Sequence, residues 1–378
     1  MVLNVKKFKN KTVLVTGSNG FLGRNLVTRL MANTSVDVLK LDRSTPSHIL
    51  DTHISNCDII IHLAGENRAN NPKAFIEGNV DLTRRICQQI RKRKCGIPVF
   101  FSSSIKAEDN SDYGKSKGLA EIELKQLSCE TESPVAIYRL PNIFGKWAKP
   151  NYNSVVATFC YNLANDLPIE IHDPEAAIEL AYVDDVIEEV LKKINSDFQG
   201  FLLTTFEASH RITVGYLAQC LKRIHSSRGD KKLGDYSNTL YKQLYSTYLS
   251  YLPIAQAVKP VQFHSDARGL FLEFCKSASF GQISFLSIAC GQKRGGHYHH
   301  TKVERFIVLK GTVEFQFVNT LDETRYKIVA NGETPEVIET FPGWAHQLSN
   351  VGNEECYVAI WANEMFDEKK PDTYRLAF

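Results

Sequence analysis

The chain has 378 residues, 43% of them hydrophobic and 23% charged, an ordinary globular composition with too much chain for one small core. Its net charge of +3 excludes the dense basic surface that nucleic-acid or membrane binding needs, so neither partner is expected. Nine cysteines without a C-x-x-C pair argue for reduced thiols in a cytoplasmic protein, and the basic start, Met1 to Lys11, leads into a run too short for a signal core or membrane span.

Val13 to Gly23 reads V-L-V-T-G-S-N-G-F-L-G. Val13 to Val15 predicts a strand buried on both faces, and Phe21, Leu22, Leu26, Val27 and Leu30 predict the helix after it. Gly17 permits the sharp turn, Gly20 the approach of backbone to a pyrophosphate, and Gly23 close packing of helix on strand. The phosphates would sit at the helix N-terminus, which places Gly17, Asn19, Gly20, Phe21, Leu22 and Gly23 against a dinucleotide. An ordinary strand–turn–helix is the competing reading. The spacing G-x-x-G-x-x-G, preceded by Thr16, resembles the short-chain dehydrogenase/reductase superfamily.

Val36 to Leu41 predicts the second strand, ending at Asp42-Arg43. A carboxylate there holds the ribose 2′-hydroxyl of NAD and an arginine pairs with the 2′-phosphate of NADP; both types are present, so the residues leave the choice open. Asp58 to Leu63 predicts another buried strand, with Leu63 and Ala64 opening a cofactor-side loop. Gly78-Asn79-Val80 precedes a helix carrying Leu82, Ile86 and Ile90, and Pro98 to Ser102 predicts a further strand. The pattern β-α-β-β-α-β predicts an α/β fold with a doubly wound parallel sheet.

That strand runs into Ser102-Ser103-Ser104, and Tyr113 and Lys117 follow, four apart and so on one helix face. An ammonium beside a tyrosine favours its phenolate, which suits a residue passing a proton to or from a sugar oxygen. Ser104 is the expected partner on the same oxygen, with Ser103 a competitor because the Ser104-to-Tyr113 separation is short. Farther on, Val135 to Gly145 predicts a strand and loop, and Ala181 to Val186 a strand leading into a helix. Ile212 to Tyr251 turns helical, interrupted by a charged, Gly- and Ser-containing loop at Ser226 to Asn238, and Tyr245 to Leu252 is unusually aromatic.

Beyond Pro260 the texture changes to short alternating runs: Leu270–Phe274, Gln282–Ile288, Glu304–Leu309, Val313–Phe317 and Cys356–Trp361, an all-β pattern. Gly291-x5-His297-x-His299-x4-Glu304-x6-Gly311 resembles the first motif of the cupin superfamily, a jelly-roll fold. His297 and His299 are two apart, so a strand would project both to one face, with His300 on the other. Gly343-x-x-His346-x-x-x-Asn350 resembles the second motif, although Pro342 stands one place too close to Gly343. Two imidazoles, a carboxylate and His346 suit one divalent metal such as Zn²⁺; a metal-free cupin using the histidines on substrate is the alternative.

The whole chain resembles the capsular polysaccharide biosynthesis CapF family, in blocks that include H-L-A-G-E-N-R (62–68), S-S-S-I-K-A (102–107), P-N-I-F-G-K-W (141–147), K-P-N-Y-N-S (149–154), H-Y-H-H-T-K-V-E (297–304) and P-D-T-Y (371–374). The resemblance implies a reductase domain at 1–252, a linker at 253–262 and a cupin domain at 263–378. It implies C3 epimerisation by the cupin and NADPH-dependent C4 reduction of a UDP-2-acetamido-2,6-dideoxy-4-hexulose by the reductase, giving a talosamine sugar nucleotide. Arg43 would then meet the cofactor phosphate; Asn79, Arg139 and Asn142 would meet the UDP-sugar; Tyr113 and Lys117 would serve cofactor and catalysis together. A homodimer is implied as well. The epimerisation base stays open among Tyr298, His300 and Lys302. The competing enzyme is a sugar-nucleotide 4-ketoreductase or epimerase whose cupin only stabilises a dimer.

Overall fold

The structure is a computed structural model that describes residues 11–32, 36–69, 71–93, 96–196, 198–228 and 231–378, so most of the basic start lies outside it. The chain divides into two compact units, Met1–Lys222 with Gln243–Pro253, and Arg223–Lys242 with Ile254–Phe378.

In the first unit, strands β1 (Lys11–Thr16), β2 (Val36–Leu41), β3 (Ile59–His62), β4 (Val99–Ser104), β5 (Val135–Leu140) alternate with helices α1 (Phe21–Met31), α2 (Ser47–Asn56), α3 (Pro72–Phe75), α4 (Leu82–Arg93) and α5 (Asp112–Thr131). Next come β6 (Asn142–Phe144), α6 (Val155–Ala164), β7 (Ala177–Tyr182), α7 (Val183–Asn195), β8 (Phe201–Thr205), β9 (His210–Thr213), α8 (Val214–Ser227) and α9 (Thr239–Leu249). The main sheet is parallel in the order β2-β1-β3-β4-β5-β8. Alternate residues feed two cores, which is why the strands read as continuous apolar runs. Val13, Val15, Ile59, Ile61 and Phe100 pack under α1 and α7, while Leu14, Ile60, Val99 and Phe101 pack under α2, α4 and α5. The strand order reverses between β1 and β3, where an open α/β sheet places its ligand crevice. Three strands, β6-β7-β9, form a separate small sheet.

Two local expectations differ. Helix α2 lies between β2 and β3, where the pattern β-β was expected; among its described side chains it buries only Leu50 and Ile54, one turn apart, too little apolar content to announce itself. Helix also begins at Pro72, before Gly78: Asn71 caps it, and a π-helical turn at Ile76–Asp81 carries the chain into α4. The wider turn pushes Asn79 inward until it is fully buried.

The second unit is an antiparallel two-sheet sandwich. Its strands are β10 (Phe263–Asp266), β11 (Gly269–Ser277), β12 (Gly281–Ile288), β13 (Lys293–Tyr298), β14 (Glu304–Lys310), β15 (Thr312–Asn319), β16 (Arg325–Asn331), β17 (Val337–Glu339), β18 (Trp344–Asn350), β19 (Cys356–Ala362) and β20 (Tyr374–Arg375). The sheets run β10-β11-β12-β19-β14-β17 and β16-β15-β18-β13-β20, with Ile288, Phe306, Val308, Val313, Phe315 and Val358 between them. The expected loop around 226–238 is partly ordered on this sandwich: Leu233 N–H donates to Lys276 O and Lys276 N–H to Lys231 O, adding a rung beside β11.

Candidate functional site

At the switch point, the loops after β1 and β3 are pressed together. Gly17 has φ +68°, and a Cβ there would stand 2.7 Å from Ala64 N; at Gly23 it would stand 2.0 Å from Gly17 O. Both positions therefore need glycine, one for conformation and contact, the other for contact alone. Gly20 caps α1 and donates its N–H to Gly17 O at 2.9 Å. Thr16 ties the loops: Leu63 N–H meets its carbonyl at 3.3 Å, and Ala64 N–H meets its hydroxyl at 3.1 Å. Phe21 and Leu22 are half-buried against the core. Asn19 donates to Asp42, whose carboxyl the Ser44 hydroxyl holds below the usual carboxylate range. Arg43 is 83% exposed and reaches Glu66 at 2.7 Å.

Behind this loop is a buried relay that the sequence pattern did not disclose. His62 Nδ1 lies 2.7 Å from the Thr16 hydroxyl and Nε2 lies 2.9 Å from the Thr83 hydroxyl. Thr83 spends its proton on Asn79 O at 2.6 Å, so His62 donates from Nε2 and accepts at Nδ1. Burial pushes the His62 imidazole down to about 3, which keeps it neutral.

The two serines separate cleanly. Ser103 donates to Glu121 at 2.5 Å, and Glu121 is gripped by both Arg139 Nε at 3.0 Å and Nη2 at 2.7 Å. Ser104, on the opposite face of β4, accepts Lys106 N–H at 3.2 Å and stands close enough to Tyr113 to act to lower the pKa of its phenol. Tyr113 and Lys117 lie one turn apart on α5, whose start is capped by Ser111. Lys117 is 5% exposed, donates to Ser102 O at 2.9 Å and stands 4.7 Å from the centre of the Phe101 ring. Burial brings its ammonium down to about 8. Burial also raises the Tyr113 phenol, against the lowering effect of Ser104, so its resting form is the neutral phenol and not the phenolate expected from Lys117 alone.

The three residues expected at the substrate are placed differently from one another. Asn142 is exposed and lines an open cleft of about 540 Å³ with Arg68, Tyr152, Ser154 and Thr158, a size suited to a small molecule. Arg139 is engaged by Glu121 and, through Nη1, by Glu108. Asn79 is buried; its Oδ1 accepts Glu66 N–H at 2.8 Å, and its amide donates to Glu66 O at 2.9 Å and to Ser116 at 2.8 Å. Ser116 in turn donates to Tyr113 O at 2.7 Å. Asn79 therefore clamps the Glu66 loop to the start of α5 and presents no free group to a substrate.

In the second unit His297, His299, Glu304 and His346 converge, with donor atoms all within 4.8 Å of one another. His297 faces His346 across the β13–β18 ladder, past a bulge at Gly295, and Glu304 comes from the opposing sheet. His299 Nδ1 lies 2.5 Å from Asp372 O, a carbonyl that can only accept, so in a neutral ring Nε2 carries the lone pair. That lone pair faces the Glu304 carboxylate at 3.3 Å, an acceptor against an acceptor, which a cation between them relieves. His346 adds a buried Nδ1 without a partner among the described residues, and burial holds His297 neutral, pushed down to about 4. The donor set fits a divalent metal on this chemistry. Asp372 also accepts N–H bonds from His300, Thr301 and Lys302 through its carboxylate, fixing the loop between ligands. His300 is exposed against Tyr374, Tyr298 stacks on Tyr374, and Lys302 is buried and donates to Thr373 at 3.1 Å.

Residues 13–200 match the NAD dependent epimerase/dehydratase family, and residues 264–374 match the polysaccharide biosynthesis C-terminal domain. The chain is 44% identical to a UDP-2-acetamido-2,6-beta-L-arabino-hexul-4-ose reductase of Pseudomonas aeruginosa, over 96% of this chain and 97% of that one. It also resembles the crystal structure of the capsular polysaccharide assembling protein CapF from Staphylococcus aureus, with a TM-score of 0.88 and 35% identity over 97% of this chain and 100% of that one. The Bordetella bronchiseptica enzyme WbmF, solved with NAD⁺, shares only the fold, at TM-score 0.55 and 17% identity over 65% of this chain and 93% of that one.

Proposed function

The chain belongs to the CapF family, and from that premise we propose that it is a bifunctional sugar-nucleotide enzyme, epimerising C3 and then reducing C4 of a UDP-2-acetamido-2,6-dideoxy-4-hexulose. The observation that carries the reading is the Ser104–Tyr113–Lys117 arrangement beside the glycine loop. Gly17 to Gly23 would hold NADPH, with Arg43 toward its 2′-phosphate, and the cofactor would supply the hydride. A resting neutral phenol is the form a reduction needs: Tyr113 gives its proton to the C4 oxygen, and Ser104 orients that oxygen. Lys117, held by Ser102 O, stabilises the phenolate left behind.

The C-terminal unit is read as a cupin and the site of epimerisation. A C4 ketone acidifies the C3 proton, so a side chain can remove it and the proton can return on the other face. A divalent metal, most simply Zn²⁺, held by His297, His299, Glu304 and His346 would supply Lewis acidity there. The product would be the UDP-N-acetyl-L-talosamine used for capsular polysaccharide. The reading also carries a cytoplasmic homodimer; among the described residues the eight cysteines are free and no helix is long and apolar enough to cross a membrane.

The test is turnover of that UDP-4-hexulosamine with NADPH or NADH, with NMR of the product. Reduction at C4 with inversion at C3 supports both halves. Reduction with C3 unchanged, and no C3 exchange in heavy water, removes the epimerase.

A further inference from the structure

Arg43, Glu66 and Tyr152 come from three separate loops, after β2, after β3 and before α6, and meet at one carboxylate. Arg43 donates to Glu66 Oε2 at 2.7 Å and the Tyr152 hydroxyl to Oε1 at 3.1 Å. Arg68 adds its N–H to Oε1 at 3.3 Å and its guanidinium to Tyr152 O. Glu66 is 14% exposed, and the Asn79 clamp fixes its N–H and its carbonyl, so the carboxylate cannot drift with either partner. On one side stands the arginine assigned to the cofactor phosphate, on the other the tyrosine and arginine that line the cleft beside Asn142.

We infer that Glu66 is a positioning residue that couples dinucleotide binding to sugar-nucleotide binding, by exchanging Arg43 for the cleft-side donors. The inference rests on the proposed function. Arg43 spends an Nη2 donor on Glu66, so a phosphorylated cofactor that engages both Nη groups draws the guanidinium from Glu66. The carboxylate then has only Tyr152 and Arg68 to satisfy it and draws the 149–154 segment onto the cleft. Binding at one place therefore favours binding at the other, by the same factor in both directions. A cofactor without the 2′-phosphate leaves Arg43 on Glu66 and transmits nothing.

The experiment is calorimetric titration of the full chain with NADPH and with NADH, each with and without saturating UDP, in the unmodified protein, Glu66→Gln and Tyr152→Phe. UDP is expected to tighten NADPH by about fivefold or more, the lower range of such couplings, and to leave NADH unchanged. Glu66→Gln releases Arg43, so NADPH should bind more tightly alone and the effect of UDP should disappear. Tyr152→Phe should also lose the UDP effect while NADPH alone binds as before. Equal coupling for the two cofactors, or coupling that survives both substitutions, overturns the role of Glu66 and leaves the proposed function standing. A chain that binds UDP but neither dinucleotide, or the reverse, overturns the proposed function together with this inference.

Discussion

Ser104 stands beside the Tyr113 phenol and acts to lower its pKa, while the adjacent Ser103 donates to Glu121 at 2.5 Å. Adjacent residues of one strand thus carry different tasks, and their substitutions should differ in kind. Tyr113→Phe should lower C4 reduction about 10²-fold or more. It should leave deuterium uptake at C3 from heavy water intact, since that exchange needs no hydride. Ser104→Ala should also slow reduction. Ser103→Ala should instead reduce stability, because the Glu121–Arg139 pair loses a buried donor. If Tyr113→Phe, still folded, abolishes C3 exchange too, the two chemistries do not occupy separate sites.

Asn79→Ala strips partners from Glu66 N–H, Glu66 O and Ser116 in a buried place. Urea unfolding should show a loss of about 2–3 kcal/mol, the scale of buried groups left unpaired. A contact with substrate would instead raise KM and leave the unfolding midpoint where it was.

Lys117 sets an alkaline limit. With its ammonium brought down to about 8, the charged form that supports Tyr113 is present below that pH and lost above it. A plot of kcat/KM for reduction against pH should fall on the alkaline side with an apparent pKa near 8, and the fall should move upward in Lys117→Arg.

His62 sets an acid limit on stability. Its folded value of about 3 lies below the ordinary 6.5, so between those values the unfolded chain binds the proton more strongly. Stability is therefore complete above pH 6.5 and is lost on acidification toward 3, by an amount on the order of 5 kcal/mol. His62→Gln should flatten that part of the stability curve even though it is less stable near neutrality.

Metal analysis of untreated protein should find roughly one divalent ion per chain. His297→Ala or His346→Ala should release it and lower the melting temperature of the C-terminal unit. Asp372→Ala should weaken binding by about 10- to 100-fold, as changes behind a metal ligand do, by loosening the loop at His300 to Lys302. Metal-free protein with unchanged folding would remove the metal from the proposal.

What could be read in advance follows from the distance over which the physics acts. The glycine loop, the Tyr113–Lys117 pair and the His297–His299 pair are short local spacings, and the structure brings each together, although His299 lies just past the end of β13. Ser103 and Ser104 could not be sorted, because strand alternation says that they face opposite ways and not which way meets Tyr113. Asn79 looked like a residue before a helix because nothing local signals a π-helical turn. His62, Glu66 and Tyr152 acquire their roles from partners on other loops, such as Tyr152 from Glu66 across 86 positions. Helix α2 was missed for want of apolar residues, its two buried anchors being met by a core built elsewhere.

The carbonyl of Asp372 holds His299 from 73 positions away, and its carboxylate holds the loop between the ligands. A version of this chain cut before Pro371 would keep all four donor residues and pass any inspection that tallies ligands. Its His299 would be free to take the other tautomer and turn its protonated nitrogen toward Glu304. Such a shortened relative would look metal-competent by its motif and behave as though a ligand had been removed. In judging which relatives retain the centre, P-D-T-Y at 371–374 therefore carries as much information as the histidines themselves.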